Sequence, residues 1–171
     1  YSEGLYKNTF IGRTFIMPGQ AERKKSVKYK LVPQELEIRD KKVMIMDDSI
    51  VRGNTSREIV RMLKDFGAKE VYFSVACPPV KSPCFYGVDM PTKGELIAGN
   101  MNEDEIENYL HVDALLYQKI DDLVEAVTRK GDHHIDTPCI ACLDGNYIAN
   151  DIDDAKITQM EAMRVNDRNG K

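Results

Sequence analysis

The sequence predicts an α/β protein with a mostly parallel sheet flanked by helices. Residues 43–46 (Val-Met-Ile-Met) form a short apolar run that ends abruptly in two carboxylates, Asp47 and Asp48. Such runs are typical of buried strands in parallel sheets, and open α/β sheets bind ligands where their strands end. A helical pattern and a second apolar run follow, so this region predicts one βαβ unit with a right-handed crossover.

The helix of this unit is predicted by the spacing of its apolar side chains. Four of them recur at helical spacing: Ile59, Val60, Leu63 and Phe66. Gly67 is a natural helix stop, and residues 71–76 (Val-Tyr-Phe-Ser-Val-Ala) predict the second strand. Further helices are expected at residues 102–110, 120–130 and 155–164, and a small strand at 114–117.

The turn between the acidic pair and the helix has the composition of a phosphate site. Gly53 lets the backbone turn tightly and approach a ligand, and Thr55 or Ser56 is expected to cap the helix. The free N–H groups and dipole of a helix start favour an anion, while carboxylates bind ribose hydroxyls directly or through Mg²⁺. The region therefore suits a sugar phosphate. The alternative for the acidic pair alone is a solvated turn.

The residues from Asp47 to Ser56 read Asp-Asp-Ser-Ile-Val-Arg-Gly-Asn-Thr-Ser. This stretch resembles the phosphoribosyl pyrophosphate (PRPP) motif of type I phosphoribosyltransferases. In its long form it resembles the glutamine PRPP amidotransferases, although Asn54 stands where that family usually has Thr. Other stretches resemble the same family: residues 11–20, 83–91 with 95–98, and 139–147. The likeness covers nearly the whole chain up to about Asp153.

The resemblance implies a type I phosphoribosyltransferase fold and the first committed reaction of purine synthesis. In it, ammonia derived from glutamine replaces the pyrophosphate of PRPP, giving 5-phosphoribosylamine, and purine nucleotides inhibit the enzyme. The implied PRPP-binding residues are Asp47, Asp48, Ser49, Arg52, Gly53, Asn54, Thr55 and Ser56. Asp47 and Asp48 would also be catalytic and would bind Mg²⁺. The side chain of Arg52 either joins the phosphate cradle or braces the loop.

Residues 1–30 carry many more basic than acidic side chains, which indicates an anionic partner. By resemblance they form a flexible lid over PRPP, with Arg13 as a catalytic clamp on pyrophosphate and with Phe10 and Ile16 lining a passage for ammonia. Taken alone, the basic run is also compatible with a solvated surface or a nucleic-acid tail. The apolar residues, taken alone, favour ordinary packing at a strand edge.

The resemblance also implies a domain organisation. Residues 1–130 would be the carboxyl-terminal part of the phosphoribosyltransferase domain, and residues 131–171 an extension with the Cys-x-x-Cys and a terminal helix. We expect a carboxyl-terminal fragment, with the start of this domain and an amino-terminal glutaminase domain upstream of Tyr1. Such a fragment would be inactive alone and would have a cut sheet edge. The intact protein is expected to be a homodimer or homotetramer.

The chain has four cysteines, Cys77, Cys84, Cys139 and Cys142. Cys77 follows an apolar strand and is predicted to be a core residue. Cys139 and Cys142 form a Cys-x-x-Cys, whose spacing suits zinc, an iron–sulfur cluster or a redox pair. The resemblance favours a 4Fe-4S cluster bound by Cys84, Cys139 and Cys142, with a fourth cysteine upstream. Zinc or plain thiols remain the alternatives.

Composition limits the other classes of function. The 171 residues carry a net charge of −4, which argues weakly against a nucleic-acid-binding protein. The absence of a long apolar run and of a secretory signal predicts a cytoplasmic protein without a membrane segment. Two other functions stay open: a non-catalytic regulator that binds PRPP or nucleotides, and a phosphoribosyltransferase that salvages bases. No role is predicted for His111, His133 and His134.

Overall fold

The computed structural model describes residues 1–8, 31–129, 135–149, 152 and 154–168. Its helices and strands are, in chain order, β1 (Leu5–Lys7), β2 (Leu31–Pro33), α1 (Glu35–Ile38), β3 (Lys42–Asp47), α2 (Asn54–Asp65), β4 (Glu70–Val75), a 3₁₀ helix (Lys93–Glu95), α3 (Ile97–Asn100), α4 (Glu103–Leu110), β5 (Ala114–Tyr117), α5 (Ile120–Thr128), α6 (Ala141–Asp144) and α7 (Asp154–Arg168).

Strands β3, β4 and β5 form a parallel sheet in that order, which confirms the predicted α/β class. Val43 is opposite Val71, and Phe73 is opposite Leu115. The antiparallel pair β1–β2 forms a separate small sheet. Because parallel strands all end at the same edge, the carboxyl ends of β3, β4 and β5 define one side of the molecule.

The hydrophobic core lies between the sheet and the helices that connect its strands. Val71, Phe73 and Val75 alternate along the central strand β4 and are buried, with Phe73 fully inaccessible. They pack in one cluster with Val60 and Leu63 of α2, as the predicted apolar stripe requires. Burying one side chain of this size contributes about 2 kcal/mol, so this packing holds α2 against the central strand β4.

Strand β3 was predicted to be buried, but one of its faces is exposed. Val43 and Ile45 pack against the core, but the side chains of Met44 and Met46 are 57% and 78% exposed. The physical reason is that β3 pairs only with β4 among the described strands, which makes it an edge. A groove of about 910 Å³ lies along this edge, with β1 on its other side.

The remaining elements lie close to their predicted places. Helix α4 begins after Asn102, α5 ends at Thr128 rather than residue 130, and α7 extends to Arg168. The short elements β1, β2, α1, α3, α6 and the 3₁₀ helix were not predicted, because three or four residues carry too little periodicity. Within the described ranges, no helix is long and apolar enough to cross a membrane.

Candidate functional site

The acidic pair lies at the carboxyl edge of the sheet. Asp47 is the last residue of β3 and is half-buried, whereas Asp48 is exposed. The Asp48 N–H donates to Asp47 Oδ1 over 3.0 Å, and the Ser49 hydroxyl donates to Asp48 Oδ1 over 3.0 Å. The Asp47 carboxylate therefore binds the backbone of Asp48, and the Ser49 hydroxyl binds the Asp48 carboxylate, at the edge of the sheet where open α/β sheets bind ligands.

Burial is the largest influence on the pKa of the Asp47 carboxyl. Partial desolvation raises the pKa of its carboxyl, and the negative charge of Asp48 acts in the same direction. The hydrogen bond from the Asp48 N–H opposes this shift by stabilising the charged form. Two adjacent carboxylates therefore favour a positive charge or hydroxyl donors beside them, because either would relieve the cost of holding Asp47 ionised.

Gly53 forms the bend that leads into α2. Its φ of 74° and ψ of −12° lie in the left-handed region, and it occupies the N-cap position of the helix. A Cβ added here would be 2.6 Å from Ile97 Cδ1 and 3.2 Å from Tyr109 Cε1. The position thus requires glycine for both its backbone conformation and its close packing. The predicted tight turn at Gly53 is confirmed.

The predicted capping by Thr55 or Ser56 is wrong. Helix α2 already begins at Asn54, so Thr55 and Ser56 are inside its first turn, and Ser56 is only 4% exposed. Among the described residues, no capping side chain hydrogen-bonds to the first N–H groups of α2, and no acidic residue occupies its first turn. The reason is that the left-handed Gly53 begins the helix without a capping side chain. The first-turn N–H groups are left available for an anion.

Another helix of the same chain shows the contrast. The N-cap side chain of α4, Asn102 Oδ1, accepts from the Glu105 N–H over 2.9 Å, and the Glu105 carboxylate accepts from the Asn102 N–H over 2.8 Å. Three acidic residues also occupy the first turn of α4. That helix start is thus satisfied and negatively charged. The start of α2 has neither property, so of these two helix starts it is the more favourable one for an anion.

Asn54 is also inside the helix and not at its cap. Its Oδ1 accepts a hydrogen bond from the Tyr109 hydroxyl over 3.1 Å. The guanidinium of Arg57 lies 4.6 Å from the centroid of the Tyr109 ring, within cation–π range. Tyr109 therefore contacts the beginning of α2 through its hydroxyl, its ring face and its packing on Gly53.

The structure distinguishes the two interpretations of Arg52. Its Nε and Nη2 donate to Glu95 Oε1 over 3.1 and 3.0 Å. The guanidinium thus braces the loop against the segment that contains the 3₁₀ helix, while the backbone of Arg52 remains part of the turn between the acidic pair and α2. Sequence reasoning did not identify Glu95 or Tyr109 as neighbours of this turn, because both contacts depend on the tertiary fold.

The cysteine-bearing segments are held together by hydrogen bonds. The N–H groups of Lys81 and Ser82 donate to the Cys142 carbonyl over 2.9 and 3.0 Å, and the Tyr147 hydroxyl donates to the Pro83 carbonyl over 2.8 Å. Cys84, which follows Pro83, is half-buried, and its Sγ accepts from a backbone N–H over 3.3 Å. Residues 81–84 therefore lie against the segment that follows Cys139.

The cysteines themselves are free thiols with different exposure. Cys77, Cys84 and Cys142 are half-buried, and Cys139 is exposed. Burial raises the pKa of the Cys142 thiol, and the charges of Cys77, Cys84 and Cys139 act in the same direction. Across the described ranges, however, no three His, Cys, Asp or Glu side chains converge closely enough to hold a metal ion. Cys77 packs against both apolar clusters, in agreement with its predicted core position.

Other predicted residues fall outside the description. Phe10, Arg13 and Ile16, with nearly all of the expected lid, lie outside the described residues, and so do His133 and His134. The described histidine, His111, ends α4 in a left-handed conformation with φ of 60°.

No protein-family model matches the chain. Among curated proteins, the amidophosphoribosyltransferase of Pseudomonas aeruginosa is 48% identical over 164 residues, which is 96% of this chain and 32% of that protein. The enzyme of the same name from Escherichia coli is 41% identical over 167 residues, covering 98% of this chain and 33% of that protein. This chain is an amidophosphoribosyltransferase homologue. It spans about a third of the length of the curated relatives it matches.

Solved structures agree with the sequence comparison. A glutamine PRPP amidotransferase from B. subtilis, complexed with ADP and GMP, matches with a TM-score of 0.70 and 41% identity over 90% of this chain and 34% of its own. A structure described as the allosteric regulatory enzyme of purine biosynthesis matches with a TM-score of 0.73 and 40% identity over 92% of this chain and 34% of its own. The fold expected from the PRPP motif, that of the type I phosphoribosyltransferases, is confirmed.

Proposed function

We propose that this chain is the PRPP-binding part of an amidophosphoribosyltransferase that acts in purine synthesis. One observation carries the proposal: an acidic pair at the sheet edge is joined through the Gly53 bend to a helix start that no side chain of the described residues caps. The proposal is supported by the similarity of nearly the whole chain to enzymes of that name. Within the proposal, residues 1–130 belong to the phosphoribosyltransferase domain and residues 131–171 to an extension.

The geometry supports a specific orientation of the sugar. The 5′-phosphate binds to the first-turn N–H groups of Asn54, Thr55 and Ser56, because these groups and the helix dipole favour negative charge. The ribose hydroxyls then face Asp47 and Asp48 at the end of β3. This places negative charge beside the sugar, which stabilises the oxocarbenium-like centre that develops as pyrophosphate leaves.

The proposed reaction exchanges one bond at the anomeric carbon for another. The nitrogen of ammonia forms a bond to that carbon, the bond to the pyrophosphate oxygen breaks, and the amine loses one proton to give phosphoribosylamine. Arg13 would clamp the departing pyrophosphate, and Phe10 and Ile16 would line the passage for ammonia that a glutaminase domain releases. This chain would be inactive without that glutaminase domain and the rest of the sheet.

Mg²⁺ fits this site through the chemistry of the donors. Carboxylate oxygens of Asp47 and Asp48 suit a hard cation, and Mg²⁺ is commonly held by one or two carboxylates together with substrate phosphates. The described protein side chains alone do not form a three-ligand metal site, so PRPP itself would complete the coordination. When bound, the ion neutralises charge on the pyrophosphate oxygens.

We propose an iron–sulfur cluster for Cys84, Cys139 and Cys142. Thiolate donors suit such a cluster, and the segments that carry Cys84 and Cys142 are hydrogen-bonded to each other. The described arrangement is not a closed ligand set, so the fourth thiolate and some approach of Cys139 are required. Iron and sulfide analysis of anaerobically purified full-length protein tests this. Cys139→Ser should abolish the cluster, whereas stoichiometric zinc without iron would contradict the proposal.

The nucleotide complex of the B. subtilis structure suggests the regulation of this protein. By analogy, we propose that purine nucleotides are its inhibitors. From the family resemblance alone, we also propose that the intact protein is a homodimer or homotetramer in the cytoplasm. Inhibition of pyrophosphate release by GMP and ADP, measured against PRPP concentration, tests the first of these statements.

Pyrophosphate release tests the proposed activity. Full-length protein should release pyrophosphate from PRPP when Mg²⁺ and either glutamine or ammonium are supplied. Binding of PRPP without release would favour the regulator. Release that depends on an added purine or pyrimidine base, and not on ammonium, would favour a salvage enzyme.

A further inference from the structure

The turn that joins the acidic pair to α2 rests on one neighbouring segment, residues 92–97. Three contacts join the two. Arg52 forms its ion pair with Glu95, the Ile97 N–H donates to the Val51 carbonyl over 2.9 Å, and Ile97 packs on the Cα of Gly53. The acidic pair, Ser49 and Ile50 take no part in these contacts. Residues 92–97 therefore form the floor of the proposed phosphate site.

Glu95 joins this floor to the turn through both carboxylate oxygens. Oε1 accepts from the Arg52 guanidinium, while Oε2 accepts from the Thr92 N–H over 3.0 Å and from the Thr92 hydroxyl over 3.1 Å. The carboxylate thus caps the start of the 3₁₀ helix and, from that fixed position, pairs with Arg52. A planar guanidinium paired in this way has little freedom, so the backbone of the turn is restrained with it.

The ionisation of Glu95 is consistent with this role. Partial burial alone would raise the pKa of its carboxyl, but the hydrogen bonds from Thr92 and the positive charge of Arg52 outweigh burial and leave the pKa below its ordinary value. Glu95 therefore carries a full negative charge at neutral pH, where the enzyme would work.

Helix α4 contains a matched arrangement at its first turn, where the Glu105 carboxylate forms no described hydrogen bond or ion pair with the phosphate site. Glu105 accepts a hydrogen bond from the Asn102 N–H over 2.8 Å, as Glu95 does from Thr92 over 3.0 Å. Each glutamate therefore caps a backbone N–H three residues before it. The difference is that Glu95 also holds Arg52. Comparing Glu95 with Glu105 therefore distinguishes the effect of local capping from an effect on the phosphate site.

We propose that Glu95 is a positioning residue for PRPP binding, which acts through Arg52 to hold the Val51–Gly53 backbone in the conformation that opens the start of α2 to the 5′-phosphate. This inference rests on the proposed function of the same site. Glu95 does not touch the substrate in this account. Its removal loosens the turn, so affinity for PRPP falls while the chemical step with bound substrate changes little.

The test compares Glu95→Gln with Glu105→Gln in the full-length protein. Either glutamine keeps an oxygen for the backbone N–H, but only Glu95→Gln removes the charge that pairs with Arg52. Titration with PRPP and Mg²⁺ should show a dissociation constant about five-fold to ten-fold higher for Glu95→Gln, as expected for weakening one charge-assisted hydrogen bond, and less than about two-fold higher for Glu105→Gln. The KM for PRPP should rise in parallel and kcat should change less.

A double-variant cycle checks the route through Arg52. Arg52→Met and Glu95→Gln should each weaken PRPP binding, and the double variant should bind about as weakly as the poorer single variant, because both remove the same contact. Equal affinities for Glu95→Gln and the unaltered protein, equal losses for Glu95→Gln and Glu105→Gln, or additive losses in the cycle would overturn the inference. An unaltered protein that binds PRPP without releasing pyrophosphate would contradict the proposed function and leave this comparison of affinities intact.

Discussion

The Tyr109 hydroxyl donates a hydrogen bond to Asn54 Oδ1 over 3.1 Å and so connects the last turn of α4 to the first residue of α2. The contact spans 55 positions in the sequence. It shows that the start of α2 is held from the α4 side as well as from the floor formed by residues 92–97. In this account, rigidity at the helix start matters because the phosphate binds to backbone N–H groups whose positions cannot adjust separately.

Tyr109→Phe removes the hydroxyl but keeps the ring that packs on Gly53 and lies beneath Arg57. Because the lost hydrogen bond is exposed, we expect the free energy of unfolding to fall by no more than about 1 kcal/mol. Tyr109→Ala also removes the ring and should cost about 2 kcal/mol or more. Urea unfolding of both variants measures the difference. A Phe variant as unstable as the Ala variant would show that the hydroxyl, and not the ring, supports this contact.

Gly53→Ala should be strongly destabilising. The new Cβ would meet Ile97 Cδ1 at 2.6 Å, and the left-handed φ of 74° adds strain of about 1–2 kcal/mol. Gly94→Ala is the matched control, because the described structure leaves open space around Gly94 and its φ is not in the left-handed range. Thermal unfolding should show a clear loss for Gly53→Ala and little change for Gly94→Ala.

A second substitution separates the two causes of this loss. Ile97→Val removes the Cδ1 atom that a Cβ at position 53 would meet. The double variant Gly53→Ala with Ile97→Val should therefore recover part of the stability lost by Gly53→Ala, with the backbone strain remaining. If the double variant simply adds the two losses, the close contact is not the source of the effect.

Asp47→Asn is expected to raise the stability of the fold and to abolish activity. The folded pKa of Asp47 lies above its unfolded value, chiefly because of burial, so its ionisation favours the unfolded chain. The fold has the full benefit of the protonated form below the unfolded pKa and loses it as pH rises through the folded pKa. Above that range, Asn removes the penalty, so Asp47→Asn should unfold at a higher temperature than the unaltered protein while pyrophosphate release is lost.

The pH dependence provides the check. The gain in melting temperature should be largest at neutral pH and shrink as pH falls below the folded pKa. Asp65→Asn, at an exposed position with only a 3.9 Å ion pair to Arg61, should show no comparable gain. A gain that is the same at all pH values would mean that Asp47 is not a costly buried charge.

The βαβ unit and its acidic turn could be predicted from sequence because their signals are local. The stripe from Ile59 to Phe66 repeats within one helix, and the strand before Asp47 ends within a few residues of the glycine bend. The exposure of Met46 could not be predicted in this way, since a strand's pattern does not say which neighbours pair with it.

The contacts that hold the site escaped prediction for a different reason. Arg52 and Glu95 are 43 positions apart, and each residue type is common on a surface, so neither signals the pair before the chain folds. The start of α2 was misplaced because hydroxyl residues are the usual N-caps, whereas here a left-handed Gly53 takes that position. Glycine is required at this cap position because Ile97 and Tyr109 pack closely against it.

The most direct test of the account is calorimetric titration of the full-length protein with PRPP and Mg²⁺, repeated with Asp47 and Asp48 both changed to Asn. Each ionised contact is worth about 1.5–3 kcal/mol, so the double variant should bind at least about 100-fold more weakly. Asp65→Asn, a matched change at the exposed far end of α2, should bind like the unaltered protein. If the double Asn variant binds PRPP as tightly as the unaltered protein, the sugar phosphate does not bind at the end of β3.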